Sequence, residues 1–125
     1  MDDTIDLRIS TLSESEINAL PFGVVRLDRR GTILSYNQFE ADFAHRTART
    51  TIGLNFFHDV APCTAIREFE GRFHGFVASQ RPRSDPFSFL FPFKWGRKRV
   101  SIIFVRHSGD IETVYVFVEI QPGIE

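Results

Sequence analysis

Alternation of apolar and polar positions predicts most of the secondary structure of this chain. Phenylalanine occupies every second position from Phe87 to Phe93, which is the period of a strand with one buried face. Pro92 within this run places the strand at a sheet edge or at a bulge. Four further runs are rich in β-branched and aromatic residues and are bounded by short polar segments. The predicted strands are residues 22–27, 32–36, 87–93, 100–106 and 113–120, with turns at residues 28–31, 96–98 and 108–110.

Helical spacing marks the segments that lie between these strands. Phe69, Phe73 and Phe76 recur at intervals of four and three, so residues 66–80 are predicted to form a helix with one apolar face. Residues 37–49 are predicted to form one or two short helices, with Asn37 as the N-cap.

The first part of the chain is polar and compatible with short helices. Ser13 and Glu16 have the spacing of a capping box, and Pro21 ends the segment. We therefore expect an N-terminal helical cap over residues 1–21 and a core over residues 22–125.

The order of the predicted elements indicates the fold class. Two strands, short helices, one longer helix and three strands joined by tight turns predict an α+β domain. Its centre would be a five-stranded antiparallel sheet with the short helices on one face. This topology matches the PAS fold, in which ligands lie between the sheet and the short helices.

Composition excludes several classes of function. The chain has 125 residues and a net charge of −1, which gives no electrostatic reason to expect nucleic-acid binding. Its single cysteine excludes a framework of intrachain disulfides. The four histidines lack metal-ligand spacing, and we assign no metal. The chain has no apolar run long enough to span a membrane and no signal peptide, so we expect a cytoplasmic location. Its 14 phenylalanines against 2 tyrosines predict an apolar core, or a pocket that excludes water from a planar ligand.

The candidate chemistry centres on the lone cysteine, Cys63. Taken alone, such a thiol is most often buried packing. Tyr36 and Glu40 lie about one helix and one loop before it, on an apolar background. Taken alone, these two are most often a half-buried strand residue and a solvated helix residue. Together the three groups suggest a ligand attached to the thiol and held by two acidic hydrogen-bond donors.

The residues around Cys63 resemble a known family. The run Asn-Phe-Phe-His-Asp-Val-Ala-Pro-Cys-Thr at residues 55–64 is similar to the chromophore loop of the photoactive yellow proteins. Residues 20–28 and 31–37 resemble the first hairpin of that family, and residues 114–118 resemble its last strand.

This resemblance implies a blue-light photoreceptor and not an enzyme. Its cofactor would be 4-hydroxycinnamic acid (p-coumaric acid), joined to Cys63 as a thioester. Tyr36 and Glu40 would match the family's partners of the phenolate, and Arg46 its arginine over the ring. The other residues expected to contact the cofactor are Phe56, Val60, Ala61, Phe91, Phe93 and Trp95.

The resemblance also implies a mode of signalling. Light would isomerise the cofactor from trans to cis, Glu40 would transfer its proton, and the N-terminal segment would partly unfold. A downstream signalling protein, not named by the sequence, would detect this change, and the photoreceptor would be a monomer or a weak homodimer.

Some residues depart from the family pattern. Ala44 replaces a threonine that supports the tyrosine, His45 replaces a glycine, and Trp95 lies where the family tends to have a methionine. Two other functions remain open from the residues. One is a PAS signalling module with a different aromatic ligand or none. The other is an acyl-transfer enzyme with Cys63 as nucleophile and His58 as its base.

Overall fold

Five antiparallel strands form one sheet in the computed structural model, which describes residues 9–79, 84–106 and 112–121. Their spatial order is β2–β1–β5–β4–β3, and all neighbouring pairs are antiparallel. The strands are β1 (Gly23–Asp28), β2 (Ile33–Tyr36), β3 (Ser84–Phe93), β4 (Gly96–Val105) and β5 (Thr113–Ile120). The predicted α+β class and its five-stranded antiparallel sheet are confirmed.

The hairpin between β3 and β4 is tighter than the sequence predicted. Phe93 pairs with Gly96, so Lys94 and Trp95 alone form the turn, and the turn predicted at residues 96–98 is wrong. Gly96 has a φ of +140°, a conformation that suits glycine, and the basic residues after it continue β4 opposite β3. The turn predicted at residues 108–110 lies outside the described residues.

Strand β3 is an edge strand, as Pro92 predicted. Pro86, which precedes the predicted strand 87–93, lies inside β3 and pairs with Ile103. An edge position explains both prolines, because an edge residue can face away from the ladder and then needs no backbone N–H.

Short helices connect the two halves of the sheet. Gln38–Ala44 (α2) begins at the N-cap Asn37, and Ala48–Thr51 (α3) follows it. Arg72–Ala78 (α4) continues a π-helical turn at Arg67–Gly71, so the helix predicted over residues 66–80 exists with a π-helical first turn. The chain before β1 forms a 3₁₀ turn at Ile9–Thr11 and one short helix, α1 (Glu14–Asn18), whose capping box between Ser13 and Glu16 is confirmed.

The sheet buries apolar residues on both faces. Val114, Val116 and Val118 of β5 face an inner core that also contains most of the buried phenylalanines of the helices. Tyr115 and Phe117 face the outer side, where residues from the N-terminal segment cover them. The members of this outer cluster are Ile9, Leu12, Ile17, Leu20, Phe22, Val24, Ile103, Val105, Tyr115 and Phe117.

Asn37 joins the N-terminal segment to the rest of the fold. Its side-chain amide donates to the backbone carbonyls of Ile17 and Phe22, both at 3.0 Å. Its carbonyl oxygen accepts from the backbone N–H of Val24 at 2.9 Å and of Glu40 at 3.1 Å. One buried side chain therefore connects the N-terminal segment, β1 and α2.

Among the described helices, none is long and apolar enough to cross a membrane.

Candidate functional site

A cavity of about 360 Å³ lies between the inner face of the sheet, the end of α2 and the loop that carries Cys63. Its wall is mostly apolar, with a tyrosine, a glutamate, an arginine, a histidine and the thiol added. The lining residues are Tyr36, Glu40, Ala44, His45, Arg46, Phe56, Val60, Ala61, Pro62, Cys63, Phe91, Pro92, Phe93 and Trp95. The structure thus brings every site residue expected from the sequence to one cavity.

The loop of residues 55–64, the cysteine loop, is held by its first residue. Asn55 accepts hydrogen bonds from the backbone N–H groups of Phe57 and His58 at 2.9 and 3.1 Å. Its amide donates to the carbonyl of Arg30 at 3.0 Å, which fixes the loop to the β1–β2 turn. The loop then makes a π-helical turn at Phe56–Val60, whose two phenylalanines are fully buried. Helical turns therefore make up most of this loop.

Cys63 lies half-buried in the 3₁₀ turn Pro62–Thr64 at the end of this loop. The hydroxyl of Thr64 donates to the carbonyl of Ala61 at 2.6 Å and closes the turn. Burial raises the pKa of the Cys63 thiol, against the opposing effect of a backbone hydrogen bond. The free thiol is therefore protonated at neutral pH and faces the cavity.

Glu40 is the buried acid of the site. It lies in the first turn of α2, and its side chain is only 2% exposed. Burial raises the pKa of its carboxyl to about 8, so the group is protonated at neutral pH. Its Oε1 packs directly against Gly23 of β1, where any larger residue would collide with it. Among the described residues, Oε1 has no hydrogen-bond partner.

Tyr36 ends strand β2 beside this acid and is also buried. Burial, and then the charge that Glu40 could carry, raise the pKa of the Tyr36 phenol, while Arg46 acts in the opposite direction. Tyr36 is therefore a neutral phenol, and Glu40 is a neutral acid. Both residues line the cavity, so its wall includes two neutral groups that can donate from an O–H.

Arg46 contributes a positive charge from the start of the α2–α3 connection. Its Nε donates to the hydroxyl of Thr51 at 3.1 Å, and that hydroxyl donates to the carbonyl of Thr47 at 2.8 Å. Thr51 is fully buried, so it is a fixed anchor for the guanidinium. This role of Thr51 could not be predicted from the sequence, because a threonine in a short helix gives no signal of it.

Parallel aromatic rings form one wall of the cavity. Phe91 and Phe93 stack with centroids 5.1 Å apart, and Phe93 stacks on Trp95 at 4.6 Å. His45 continues the column by stacking on Trp95 at 3.8 Å with 13° between the ring planes. Phe43 packs against Phe91 and Phe93 at centroid distances of 5.8 and 5.2 Å, with its ring nearly perpendicular to theirs. From the sequence, His45 was only a departure from glycine, and its place in this wall was not predicted.

His58 lies outside this arrangement. Its ring is exposed and bonds to the carboxylate of Glu70 at 3.0 Å, and Glu70 also bonds to His74 at 3.1 Å. Because His58 is absent from the cavity's described lining, the structure offers no support for it as a base acting on Cys63.

Comparison with known proteins identifies close relatives. No family model matches the chain. It is 33% identical over 117 residues to the photoactive yellow protein of Halochromatium salexigens, covering 94% of this chain and 92% of that protein. It is 35% identical over 115 residues to the photoactive yellow protein of Rhodothalassium salexigens, covering 91% of each.

A solved structure agrees with these sequence relatives. The photoactive yellow protein domain of the sensor histidine kinase Ppr from Rhodospirillum centenum superposes with a TM-score of 0.83 and 36% identity. The match covers 92% of this chain and 99% of that domain. The PAS fold expected from the order of elements, and the resemblance expected from the residues of the cysteine loop, are both confirmed.

Proposed function

This chain belongs to the photoactive yellow protein family, blue-light photoreceptors with a PAS fold, and we propose that it carries a 4-hydroxycinnamoyl group as a thioester on Cys63. The observation that carries this proposal is that Glu40, a buried acid whose Oε1 has no hydrogen-bond partner among the described residues, lines the same cavity as the only thiol. A buried polar atom without a partner is costly, so its presence favours a ligand that supplies one.

The residues present fit such a group. The apolar walls suit an aromatic ring, and Phe91 and Phe93 offer parallel faces for it. Tyr36 and Glu40 are both neutral, so each can donate to a phenolic oxygen that carries a negative charge. We propose that Arg46 adds a positive charge near the same ring. When bound, the group supplies light absorption and a double bond that isomerises.

Attachment needs an activated form of the acid. The Sγ of Cys63 would attack the acyl carbon, the bond from that carbon to its leaving group would break, and the thiol proton would pass to solvent. Because burial raises the pKa of this thiol, the attacking thiolate is scarce at neutral pH. Attachment is therefore expected to be faster in mildly alkaline solution.

The response to light would centre on the Glu40 proton. Glu40 holds its proton in the dark, because burial disfavours its charged form. Transfer of that proton to the ligand would leave a carboxylate in the inner core with no cationic partner among the residues that bond to it. An uncompensated buried charge is strongly destabilising.

The contacts of Asn37 suggest where the fold would loosen. The same side chain that caps α2 beside Glu40 also holds the carbonyl of Ile17. A charge on Glu40 would disturb α2, weaken these bonds and release the N-terminal segment from the outer face of the sheet. We propose residues 1–21 as this releasable cap and residues 22–125 as the core that remains folded.

We further propose that the protein signals and does not act as an enzyme, in the cytoplasm, as a monomer or weak homodimer. The related domain in Rhodospirillum centenum is part of a sensor histidine kinase. A signalling protein or fused output module that detects the released outer face would suit this chain as well.

Reconstitution tests the proposal. Purified protein is mixed with the anhydride of 4-hydroxycinnamic acid, and its intact mass and absorption spectrum are recorded. The expected result is one added acyl group and a visible band, both absent from Cys63→Ser. If aromatic acids bind without forming the adduct, the alternative of a PAS module with a non-covalent ligand replaces this proposal.

A further inference from the structure

We propose that His45 and Trp95 form a lid at the solvent end of the cavity, and that their stacking limits how fast bulky acyl donors reach Cys63. The inference rests on the proposed function in taking Cys63 as the attachment atom. Its claim about access concerns the protein without any cofactor and can be tested separately.

Exposure along the ring column locates the lid. Phe91 is 2% exposed, so it marks the deep end of the cavity. Phe93 is half-buried, while Trp95 at the other end of the column is 46% exposed. His45, which stacks on Trp95, is exposed as well. The pair therefore lies where the column meets solvent, and both residues line the cavity.

The two rings come from different elements of the fold. His45 is the C-cap of α2, whereas Trp95 lies in the two-residue turn between β3 and β4. Their stacking therefore joins a helix end to a hairpin tip. Phe43 makes a second connection between α2 and β3, but it does so deeper, against Phe91 and Phe93. Separating His45 from Trp95 would open the outer end and leave the deeper contacts in place.

The left-handed backbone conformation of His45 supports a specific role for its side chain. His45 has φ +56° and ψ +48°, the left-handed conformation that glycine adopts most easily. It is the only described non-glycine residue with positive φ. A glycine would suit this helix end better but could not stack. The histidine accepts an unfavourable conformation, and its clearest contact is the ring of Trp95.

Thiol modification of the cofactor-free protein measures access. Cys63 is the only cysteine, so a bulky aromatic disulfide such as 5,5′-dithiobis(2-nitrobenzoic acid) reports on this site alone. An aromatic stack contributes about 0.5–1.5 kcal/mol, so we expect His45→Gly and Trp95→Ala to react about two- to tenfold faster than the parent protein. The gain should be smaller with iodoacetamide, because a small reagent needs less opening.

Two comparisons separate a lid from general loosening. His45→Gly relieves the left-handed backbone, so its melting temperature should not fall while its reaction rate rises. Trp95→Phe keeps a ring for stacking and should react nearly as slowly as the parent protein. Leu34→Ala, at a 41% exposed position on β2 away from the cavity, should leave the rate unchanged.

The outcomes distinguish the two proposals. Parent-like rates in both His45→Gly and Trp95→Ala would overturn the lid, whatever the cofactor. The lid would also be overturned if His45→Gly reacted faster but its melting temperature fell, because general loosening of the fold would then explain the faster reaction. Faster modification of the variants, together with no visible band after treatment with the activated acid, would support the lid and refute the proposed function.

Discussion

Asn37 Oδ1 accepts a hydrogen bond from the backbone N–H of Glu40 at 3.1 Å, so the residue that caps helix α2 is bonded directly to the buried acid. The amide nitrogen of the same side chain bonds to the carbonyl of Ile17, in the segment that covers the opposite face of the sheet. The proposed source of the light signal and its proposed destination are thus separated by one side chain.

Asn37→Ala should destabilise the fold and loosen the N-terminal segment. The substitution removes an N-cap and four hydrogen bonds, two of them from buried backbone N–H groups. The Ile17 carbonyl keeps the bond from the backbone N–H of Leu20. We expect a loss of about 2–4 kcal/mol in the free energy of unfolding, measured with urea. Proteolysis within residues 9–20 should accelerate as well.

Asn18→Ala is the matched control for this change. It removes one exposed hydrogen bond, from the backbone N–H of Gln38 at 2.7 Å. Its expected cost is below about 1 kcal/mol. Equal costs for the two variants would contradict a special role for Asn37.

Glu40 should make the stability of the cofactor-free protein fall as pH rises. The pKa of its carboxyl is about 8 in the folded protein and about 4.5 in the unfolded chain. Between these values the folded state binds more protons than the unfolded state, so the free energy of unfolding decreases with pH. The decrease attributable to this group approaches about 1.4 kcal/mol per pH unit and ends above pH 8.

Glu40→Gln isolates this effect, because the amide does not titrate. Urea unfolding at several pH values should give a flatter profile for this variant than for the parent protein between pH 5 and 8. Parallel profiles would show that Glu40 is ionised in the folded protein, and would remove it as a proton donor.

The same substitution should change the colour of the reconstituted protein. Glutamine still donates to the ligand's phenolic oxygen, but an amide is a weaker donor than a carboxylic acid. The negative charge is then held less tightly on that oxygen, so the visible band should move to longer wavelength. An unchanged absorption maximum would place Glu40 away from the ligand.

The regular alternation of apolar and polar residues made the C-terminal strands predictable. Contacts between segments that are distant in the sequence could not be predicted. Strand β5 has the bounds that its pattern indicates, because both of its faces are buried. The turn before β4 was misplaced, because glycine and the basic residues after it have turn-like composition. Pairing of Phe93 with Gly96 decides that position, and the sequence shows no such pairing.

The site likewise contains residues that could be predicted from the sequence and residues that could not. Cys63, Tyr36 and Glu40 could be selected by spacing and by resemblance to a family. The anchoring of Arg46 by Thr51 depends on the geometry of a buried hydroxyl. The stack of His45 on Trp95 depends on a contact between segments about fifty residues apart in the sequence. Local sequence patterns carry no information on either.

The central claim is that light moves a proton from Glu40 to a cofactor held on Cys63. Infrared difference spectroscopy of the reconstituted protein tests it most directly, with the visible band followed in the same flash experiment. We expect the visible band to bleach and recover, and the carbonyl band of a protonated carboxylic acid to disappear and return, with the carbonyl change absent from Glu40→Gln. A visible band that does not respond to light, or a carbonyl change that persists in Glu40→Gln, would contradict the account.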